Sequence, residues 1–263
     1  MEQLKRNLKI FILFSTFALK STFQARLGII FFIAGKILRF FFFFFFIFLI
    51  LSKTKVVTGY NFTQAAIFYL TFNLIDTASQ ILFREVYRFR DYVVSGDLDL
   101  ILTRPFHPFL KVLLGGVDFL DLFLLFPYLA ITFFFAAKLP HITFQSSAFY
   151  LLLVLNSLLI ATGFHILVLA LGILTTNVDH TMMIYRDLST MGRFPFEIYK
   201  EPIRGFFTFI IPIGIMMSFP PKALFQLLSP GFYLLSFLLS LVIIFLSLRL
   251  WDYALKQYQS WGG

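Results

Sequence analysis

Long apolar stretches alternate with short polar ones along almost the whole chain. A helix needs about 20 apolar residues to cross a bilayer. Six stretches meet or approach this length: 27–52, 62–83, 112–137, 148–174, 205–219 and 232–250. The pattern predicts an all-α integral membrane protein, with six transmembrane helices in a single domain of residues 1–263. The fifth stretch is the shortest and is interrupted by Pro212.

Residues 1–26 precede the first apolar stretch and have a different pattern. Basic residues, among them Lys5, Arg6 and Lys9, are interleaved with Phe, Ile and Leu. This mixture predicts an amphipathic elbow helix that lies in the membrane interface. A solvated N-terminal arm is the alternative, because chain termini are often mobile.

A polar, basic stretch at 177–204 is predicted to be partly helical at the membrane interface. Another polar segment, 84–111, which we call the polar loop, lies between the second and third apolar stretches. Its backbone groups cannot remain unsatisfied in hydrocarbon, so it is expected in water or at the membrane surface. Within it, Asp97 is a candidate cap for a short amphipathic helix that ends before Arg104-Pro105. Such a helix is suited to contact another protein, whereas an ordinary loop is the simpler interpretation.

Composition and charge add an orientation. The chain is 59% hydrophobic, with a mean hydropathy of +0.87 and 22 Lys and Arg residues against 13 Asp and Glu. With six spans, most basic residues fall on the side of both termini and of the polar loop. The positive-inside rule then places that side in the cytoplasm.

Several kinds of chemistry are excluded or disfavoured. The chain has no Cys, which excludes disulfides, thiolate metal sites and Cys catalysis. The Gly35-Lys36 pair lacks the remainder of a phosphate-binding loop, and the four His residues are too dispersed for a metal cluster. We therefore expect no catalytic residues, no metal and no cofactor in this chain, and no nucleic-acid partner.

Three ionisable residues, Lys36, Arg39 and Asp76, lie inside predicted spans. Such residues usually face the protein interior and pair with one another. The first two spans are antiparallel and place these side chains at similar depth, which predicts that Asp76 lies within salt-bridge reach of Lys36 or Arg39. Alternatively, both cations extend to the cytoplasmic interface.

A polar stripe also follows the second span, where Asn73, Asp76, Thr77 and Gln80 recur at helical spacing. It can line a transport path or join helices through hydrogen bonds. Asp118 and Asp121 share one face of the third span. They can line a cytoplasmic vestibule or pair with basic residues of the polar loop, for which the candidates are Arg88, Arg90 and Arg104.

Short sequence pieces, in order along the chain, resemble a known family. The main piece is Gly96-Asp-Leu-Asp-Leu-Ile-Leu-Thr-Arg-Pro105, with Pro108 shortly after. It resembles the cytoplasmic signature of ABC-2-type exporter permeases, especially the six-span viologen and multidrug export group. Further matching pieces are Phe194-Pro195, Ile198-Tyr199, Ile203-Arg204, Ile211-Pro212, Pro220-Pro221 and the ending that runs from Trp251 through Tyr258 to Gly262.

The resemblance implies the ABC type-2 exporter permease fold, with an elbow helix and six spans. It implies a second permease subunit, identical or different, and soluble ABC ATPase subunits that bind ATP and Mg. Gly96, Asp97, Asp99, Arg104 and Pro105 become the ATPase-coupling residues. Efflux by alternating access across a prokaryotic inner membrane follows, with hydrophobic or amphipathic compounds as the implied substrates.

The alternative function is that of a membrane protein independent of an ATPase, either an ion-coupled transporter that uses Asp76 or a membrane scaffold. Dependence of transport on an ion gradient discriminates the first from an ABC permease. The sequence does not specify the substrate.

Overall fold

A computed structural model describes residues 2–24, 26–54, 59–175 and 178–259. Within these ranges the chain forms twelve α-helices joined by short turns and by segments of 3₁₀- and π-helix. They are α1 Glu2–Gln24, α2 Arg26–Thr54, α3 Phe62–Phe83, α4 Phe89–Val94, α5 Asp97–Leu102, α6 Phe109–Val112, α7 Phe119–Ala136, α8 Phe144–Thr175, α9 Val178–Thr190, α10 Ile203–Gly205, α11 Ile213–Leu224 and α12 Pro230–Gln257.

Five of these helices, α2, α3, α7, α8 and α12, are long and apolar enough to cross a bilayer. The predicted all-α membrane fold is therefore confirmed. α3 is the central helix because most of its side chains are buried, whereas α2 and α12 turn most of theirs outward. Asn61 starts α3 with a reciprocal capping box to Gln64.

The bundle has two ends, which we call the loop end and the opposite end. The loop end holds the polar loop, and there Trp251 of α12 packs on Phe89 and Phe109. At the opposite end, Phe62 at the start of α3 packs on Phe135 near the end of α7. α1 contacts the loop end, where Val117 donates its backbone N–H to Ser15 Oγ at 3.3 Å.

The third span begins later than predicted. Residues 113–118 form an irregular turn, and α7 starts only after Asp118, whose carboxylate accepts the N–H groups of Leu120 and Asp121. Gly115 has a φ of +53°, which favours glycine, and Gly116 lies against the backbone of α1. The apolar stretch thus starts before the helix because its first residues pack under α1.

The predicted fifth span, 205–219, is wrong as a single crossing. Residues 203–210 and α11 are bent by 90° at Ile211-Pro212. Both ends of this pair lie at the opposite end: Glu197, just before it, pairs with Lys222 in the last turn of α11, and Gln226 donates to the His141 carbonyl in the α7–α8 turn. The bent segment formed by residues 203–210 and α11 therefore enters the bundle from the opposite end and returns to that end.

The fifth crossing is made by residues 178–198, which belong to the polar stretch 177–204 that was predicted to be partly helical at the membrane interface. It begins at the loop end, where Asp179 of α9 pairs with Arg90. It reaches the middle of the bundle at Arg193, which lies over the rings of Phe43 and Phe72. It reaches the opposite end at Glu197. Hydropathy misses this crossing because one face of α9 is polar.

The middle of α1 and the end of α12 lie near the polar loop, where Phe14 packs on Phe106 and Trp251 packs on Phe109. The predicted elbow segment forms α1 over Glu2–Gln24, with Lys5, Lys9 and Lys20 beside exposed Leu and Phe side chains. The tail of the chain after the sixth predicted span is helical up to Gln257, because α12 continues seven residues past residue 250. The end of that tail lies outside the described residues.

Candidate functional site

The first candidate site is the exposed face of α5 in the polar loop. Gly96 precedes the helix with a φ of +78°, a conformation that favours glycine. Within α5, Leu98 and Ile101 are buried against the bundle, whereas Asp97 and Leu100 are exposed. The predicted cap is wrong: Gly96 is the N-cap and Asp97 is the first helical residue, where its carboxylate accepts from Ser95 Oγ at 2.8 Å.

Thr103 caps the other end of α5, and Arg104 and Pro105 follow it in the exposed turn. The predicted end of the helix before Arg104-Pro105 is confirmed. Asp99 is half-buried and lies beside the phenol of Tyr258, at the end of α12. Burial and the neighbouring Asp99 carboxylate raise the pKa of Tyr258 to about 12. The exposed face of α5 and of the turn after it thus consists of Asp97, Leu100 and Arg104.

A buried carboxylate, Glu85, fixes the polar loop to the bundle. It accepts hydrogen bonds from Lys111 Nζ at 2.6 Å, from Arg88 Nη1 at 3.3 Å and from the Tyr92 hydroxyl. Lys111 and Glu85 therefore join the two ends of the loop. The backbone of Gly115 passes so close that a Cβ there would lie 2.6 Å from Glu85 Cβ.

The environment of Lys111 shows how strong this anchor is. Burial acts to lower the pKa of Lys111, but its hydrogen bonds to Glu85 and Tyr92 and the charge of Glu85 outweigh burial and raise it. Lys111 therefore stays charged as the pH rises through the ordinary range. Sequence reasoning missed Glu85, and its one signal was that it is the acidic residue closest to the end of the second span.

A chain of polar contacts runs along α3 from the bundle interior to the polar loop. Gln80 Nε2 donates to Asp76 at 3.1 Å, and Arg84 Nη1 donates to Gln80 Oε1 at 3.1 Å. Arg84 also pairs with Asp118 at 3.4 Å. Asp118 therefore pairs with Arg84 rather than with Arg88, Arg90 or Arg104. Asp76, Gln80 and Arg84 are spaced by four residues and share one helix face.

The structure corrects the predicted ion pair within the spans. Lys36 pairs with Asp121 of α7, not with Asp76, and Asp121 is fully buried. Within the described residues Asp76 makes no ion pair with Arg39 either, and its partner is Gln80. The prediction failed because it considered only the depth of neighbouring spans in the sequence. The packing of α2, α3 and α7 decides which acid meets Lys36.

The second candidate site is a cavity of about 300 Å³ between α2, α3 and α9. Its charged and amide lining consists of Arg39, Asp76, Gln80, Arg186, Asp187 and Arg193. Of the predicted stripe, Asp76 and Gln80 line the cavity. Asn73 and Thr77 are buried elsewhere, and Asn73 donates to the Tyr69 carbonyl at 2.7 Å. The stripe thus divides into a cavity face and a packing face.

The α9 side of the cavity was not predicted. Arg186 and Asp187 of α9 and Arg193 beyond it lie in a segment that had been placed outside the bundle. Their signal in the sequence was that these charged residues follow two buried apolar positions, Met182 and Tyr185, and precede the Phe194-Pro195 motif. In the ranges the structure describes, no three His, Asp or Glu side chains are grouped closely enough to hold a metal ion.

Comparisons with known proteins agree with this architecture. A family model described as ABC-2 family transporter protein matches residues 37–262, which covers most of the chain, the polar loop and the cavity. No curated protein and no solved structure matches the chain significantly. The protein is a multi-pass membrane component of a transporter, and this family is not itself catalytic. On the match and the helical fold together, the chain belongs to the ABC-2 family of transporter proteins.

Proposed function

We propose that this chain is the permease subunit of an ATP-driven exporter, and that it works with separate soluble ABC ATPase subunits and a second permease. The exposed face of α5 carries the proposal. It presents an acid, an apolar residue and a base, Asp97, Leu100 and Arg104, around one short helix. Charged groups in this arrangement give contacts that depend on orientation.

α5 is also attached firmly to the bundle, so that a displacement of α5 can be transmitted to the membrane helices. Leu98 is fully buried and Ile101 nearly so, which joins α5 to the hydrophobic core. Glu85 and Lys111 fix the two ends of the surrounding loop at 2.6 Å. A displacement of α5 is therefore expected to move the loop end of the bundle rather than to deform the loop alone.

The polar contacts along α3 provide a route from this surface to the cavity. They join Asp118, at the start of α7, through Arg84 and Gln80 to Asp76 in the cavity wall. We propose that closure of the ATPase subunits on bound ATP moves α5. The movement changes the spacing of α3, α7 and α9, and the cavity alternates between the two sides of the membrane.

Orientation in the membrane is part of the proposal. The polar loop, the middle of α1 and the end of α12 lie at the same end of the bundle, where basic residues are concentrated. We propose that this end is cytoplasmic in a prokaryotic inner membrane. The corrected fifth crossing moves Lys200 and Arg204 to the opposite end, so the charge bias is weaker than the sequence suggested but keeps its sign.

The test is assembly with the ATPase. We expect Leu100→Asp and Arg104→Glu each to reduce co-purification of the ABC ATPase at least about tenfold, and to reduce vanadate-sensitive ATP turnover by the complex to the same extent. Leu100→Asp places a charge on the apolar part of the proposed docking face of α5, and Arg104→Glu reverses the charge of its basic residue. Asp252→Lys is the matched control, an exposed acid in the last turns of α12. It should leave both measurements unchanged.

Two results would contradict the proposal. One is ATPase assembly and turnover that are indifferent to both α5 variants. The other is substrate movement by the purified chain that requires an ion gradient and no ATPase. The second result would establish the alternative, an ion-coupled transporter that uses Asp76.

A further inference from the structure

Three guanidinium groups in the cavity lack the acidic partners found elsewhere in the molecule. Arg39, Arg186 and Arg193 come from α2, α9 and the segment after α9, and all three line the cavity. In the part of the chain that the structure describes, none of them makes an ion pair within 4 Å, whereas seven other Lys and Arg residues do. The cavity therefore holds three arginines that have no carboxylate in direct contact.

The cavity also contains two carboxylates, which do not cancel this charge. Asp76 accepts a hydrogen bond from Gln80 on its own helix, and Asp187 is exposed on α9. Three cations against two anions leave a positive surplus in the lining. Charged groups at membrane depth are costly unless water or an opposite charge meets them. An anion that enters the cavity supplies that charge.

The position of Arg193 fits recognition rather than packing. Its guanidinium lies 5.3 Å from the Phe43 ring centroid and 5.4 Å from that of Phe72. The two rings hold the planar group in place by cation–π contact while its N–H donors remain available to a ligand. A guanidinium fork matches the oxygens of a phosphate or a carboxylate in two parallel hydrogen bonds.

The surface next to the cavity is apolar. Phe42 and Phe46 lie three and seven residues after Arg39, on the same face of α2, and are exposed by 70% and 49%. This strip continues from the cavity toward the opposite end of the bundle. A ligand that places an anionic group against Arg39 and Arg193 can lay an apolar chain along the Phe strip.

We infer that the substrate of this permease is an anionic amphiphile, with a phosphate or carboxylate headgroup bound by Arg39, Arg186 and Arg193 and an apolar tail along α2. The inference rests on the proposed transport function. The inference narrows the class of transported substrates to anionic compounds, and therefore excludes cationic drugs as the main substrates. An anionic lipid and a soluble single-chain amphiphile share this chemistry, and the experiment separates them.

The experiment measures binding without ATP, on the permease assembled with its ATPase in phosphatidylcholine nanodiscs. The probe is dodecyl phosphate with a fluorescent label at the end of its tail. We expect saturable binding. Arg39→Gln and Arg193→Gln should each raise the Kd at least about tenfold, the effect of losing a charge-assisted contact. Arg193→Lys should recover part of the loss.

Arg249→Gln is the matched control. Like Arg39, Arg249 is an exposed arginine of a spanning helix. Like Arg193, it lies over a phenylalanine ring, 5.1 Å from the Phe245 centroid. It does not line the cavity. Its replacement should leave the Kd unchanged. Thermal unfolding of each variant shows whether the fold is retained, and the conservative Arg193→Lys variant keeps the test valid if Arg193→Gln unfolds.

Competition identifies the ligand class. Unlabelled dodecyl phosphate should displace the probe, and dodecyl trimethylammonium should not. Displacement by phosphatidylglycerol in the nanodisc identifies a lipid source, whereas displacement by dodecyl phosphate alone identifies a soluble amphiphile. Inorganic phosphate that competes as well as dodecyl phosphate would overturn the role of the tail. Equal displacement by the cationic amphiphile would overturn the whole assignment.

Two further outcomes separate this inference from the proposed function. If Arg39→Gln and Arg193→Gln disrupt the association of two permease copies and leave probe binding unchanged, the arginines are interface groups and the inference fails. If the probe binds as expected but the α5 variants leave ATPase assembly intact, the binding site stands and the proposed coupling fails.

Discussion

Two groups of charged side chains, one at the loop end and one in the cavity, differ in whether each charge has an opposite charge in direct contact. At the loop end, Arg84, Arg88 and Lys111 each contact a carboxylate of the bundle. In the cavity, Arg39 and Arg193 make no ion pair with any carboxylate in the ranges that the structure describes. The same residue types therefore serve different purposes. Paired charges fix the polar loop to the helices, whereas unpaired charges lie where the protein can meet a ligand.

The energetic consequence of this difference is asymmetric. Removal of one partner of a buried pair leaves an uncompensated charge and costs about 3–5 kcal/mol. Removal of an unpaired charge leaves no such group behind. Stability measurements can therefore distinguish the two groups, and labelling can test the path of the chain that separates them.

The largest expected effect is an all-or-none labelling pattern. The chain has no Cys, so single cysteines can be introduced without background. In intact cells, Lys200→Cys and Leu227→Cys should react with the same membrane-impermeant maleimide from outside, because both residues lie at the opposite end and are exposed. Thr103→Cys in the polar loop should react only after permeabilisation. Labelling of Lys200→Cys and Thr103→Cys from one side would refute the crossing by residues 178–198.

The next largest effect is expected at Glu85. Glu85→Ala leaves Lys111 without its buried carboxylate and removes the contact with Arg88, so the free energy of unfolding should fall by about 3–5 kcal/mol. Denaturant unfolding in mild detergent measures it. Asp91→Ala, an exposed acid in the same loop, should change it by less than about 0.5 kcal/mol. Similar losses for both variants would show that Glu85 is not the anchor.

A slightly smaller effect is expected for the ion pair in the spans. Lys36→Met leaves Asp121 fully buried and uncompensated, with a second carboxylate oxygen that already lacks a hydrogen-bond partner. We expect a loss of about 3 kcal/mol, which the double variant Lys36→Met/Asp121→Leu should largely restore. Asp76→Asn is the control. If Asp76→Asn were as destabilising as Lys36→Met, the pairing predicted from the sequence would be the correct one.

The smallest effect is expected in the cavity. Arg193→Gln removes a charge without orphaning a carboxylate, so the free energy of unfolding without ligand should change by less than about 1 kcal/mol. The same unfolding measurement that detects Glu85→Ala provides the comparison. A loss as large as that of Glu85→Ala would mean that Arg193 is a structural residue, and the difference between the two groups of charges would disappear.

Much of the fold could be predicted from hydropathy alone. The second span was predicted with the bounds of α3, and the first, fourth and sixth differ from α2, α8 and α12 by a few residues. These helices are apolar on most of their surface, so each one is recognised without knowledge of its neighbours. Arg104-Pro105 likewise marked the end of α5, because its backbone preference is local. The cap was predicted one residue too late, at Asp97 instead of Gly96.

The fifth crossing and the charge pairing could not be predicted in this way. α9 is tolerated inside the bundle because its polar face meets a cavity rather than lipid, and the cavity exists only once α2, α3 and α9 are packed. Residues 205–219 are apolar enough to suggest a span, but Pro212 and the π-helix before it bend them back. Hydropathy measures composition and carries no information on direction.

The sequence by itself determined the class of protein, most of its membrane helices and the short exposed helix α5, because these depend on local hydropathy and on single residues with restricted backbones. Tertiary structure alone decided that Lys36 meets Asp121, that Glu85 holds the polar loop and that three arginines converge on one cavity. Such contacts join residues that are far apart in the sequence: Lys36 and Asp121 are separated by 85 positions. Their geometry is set by how the helices pack, which no local pattern encodes.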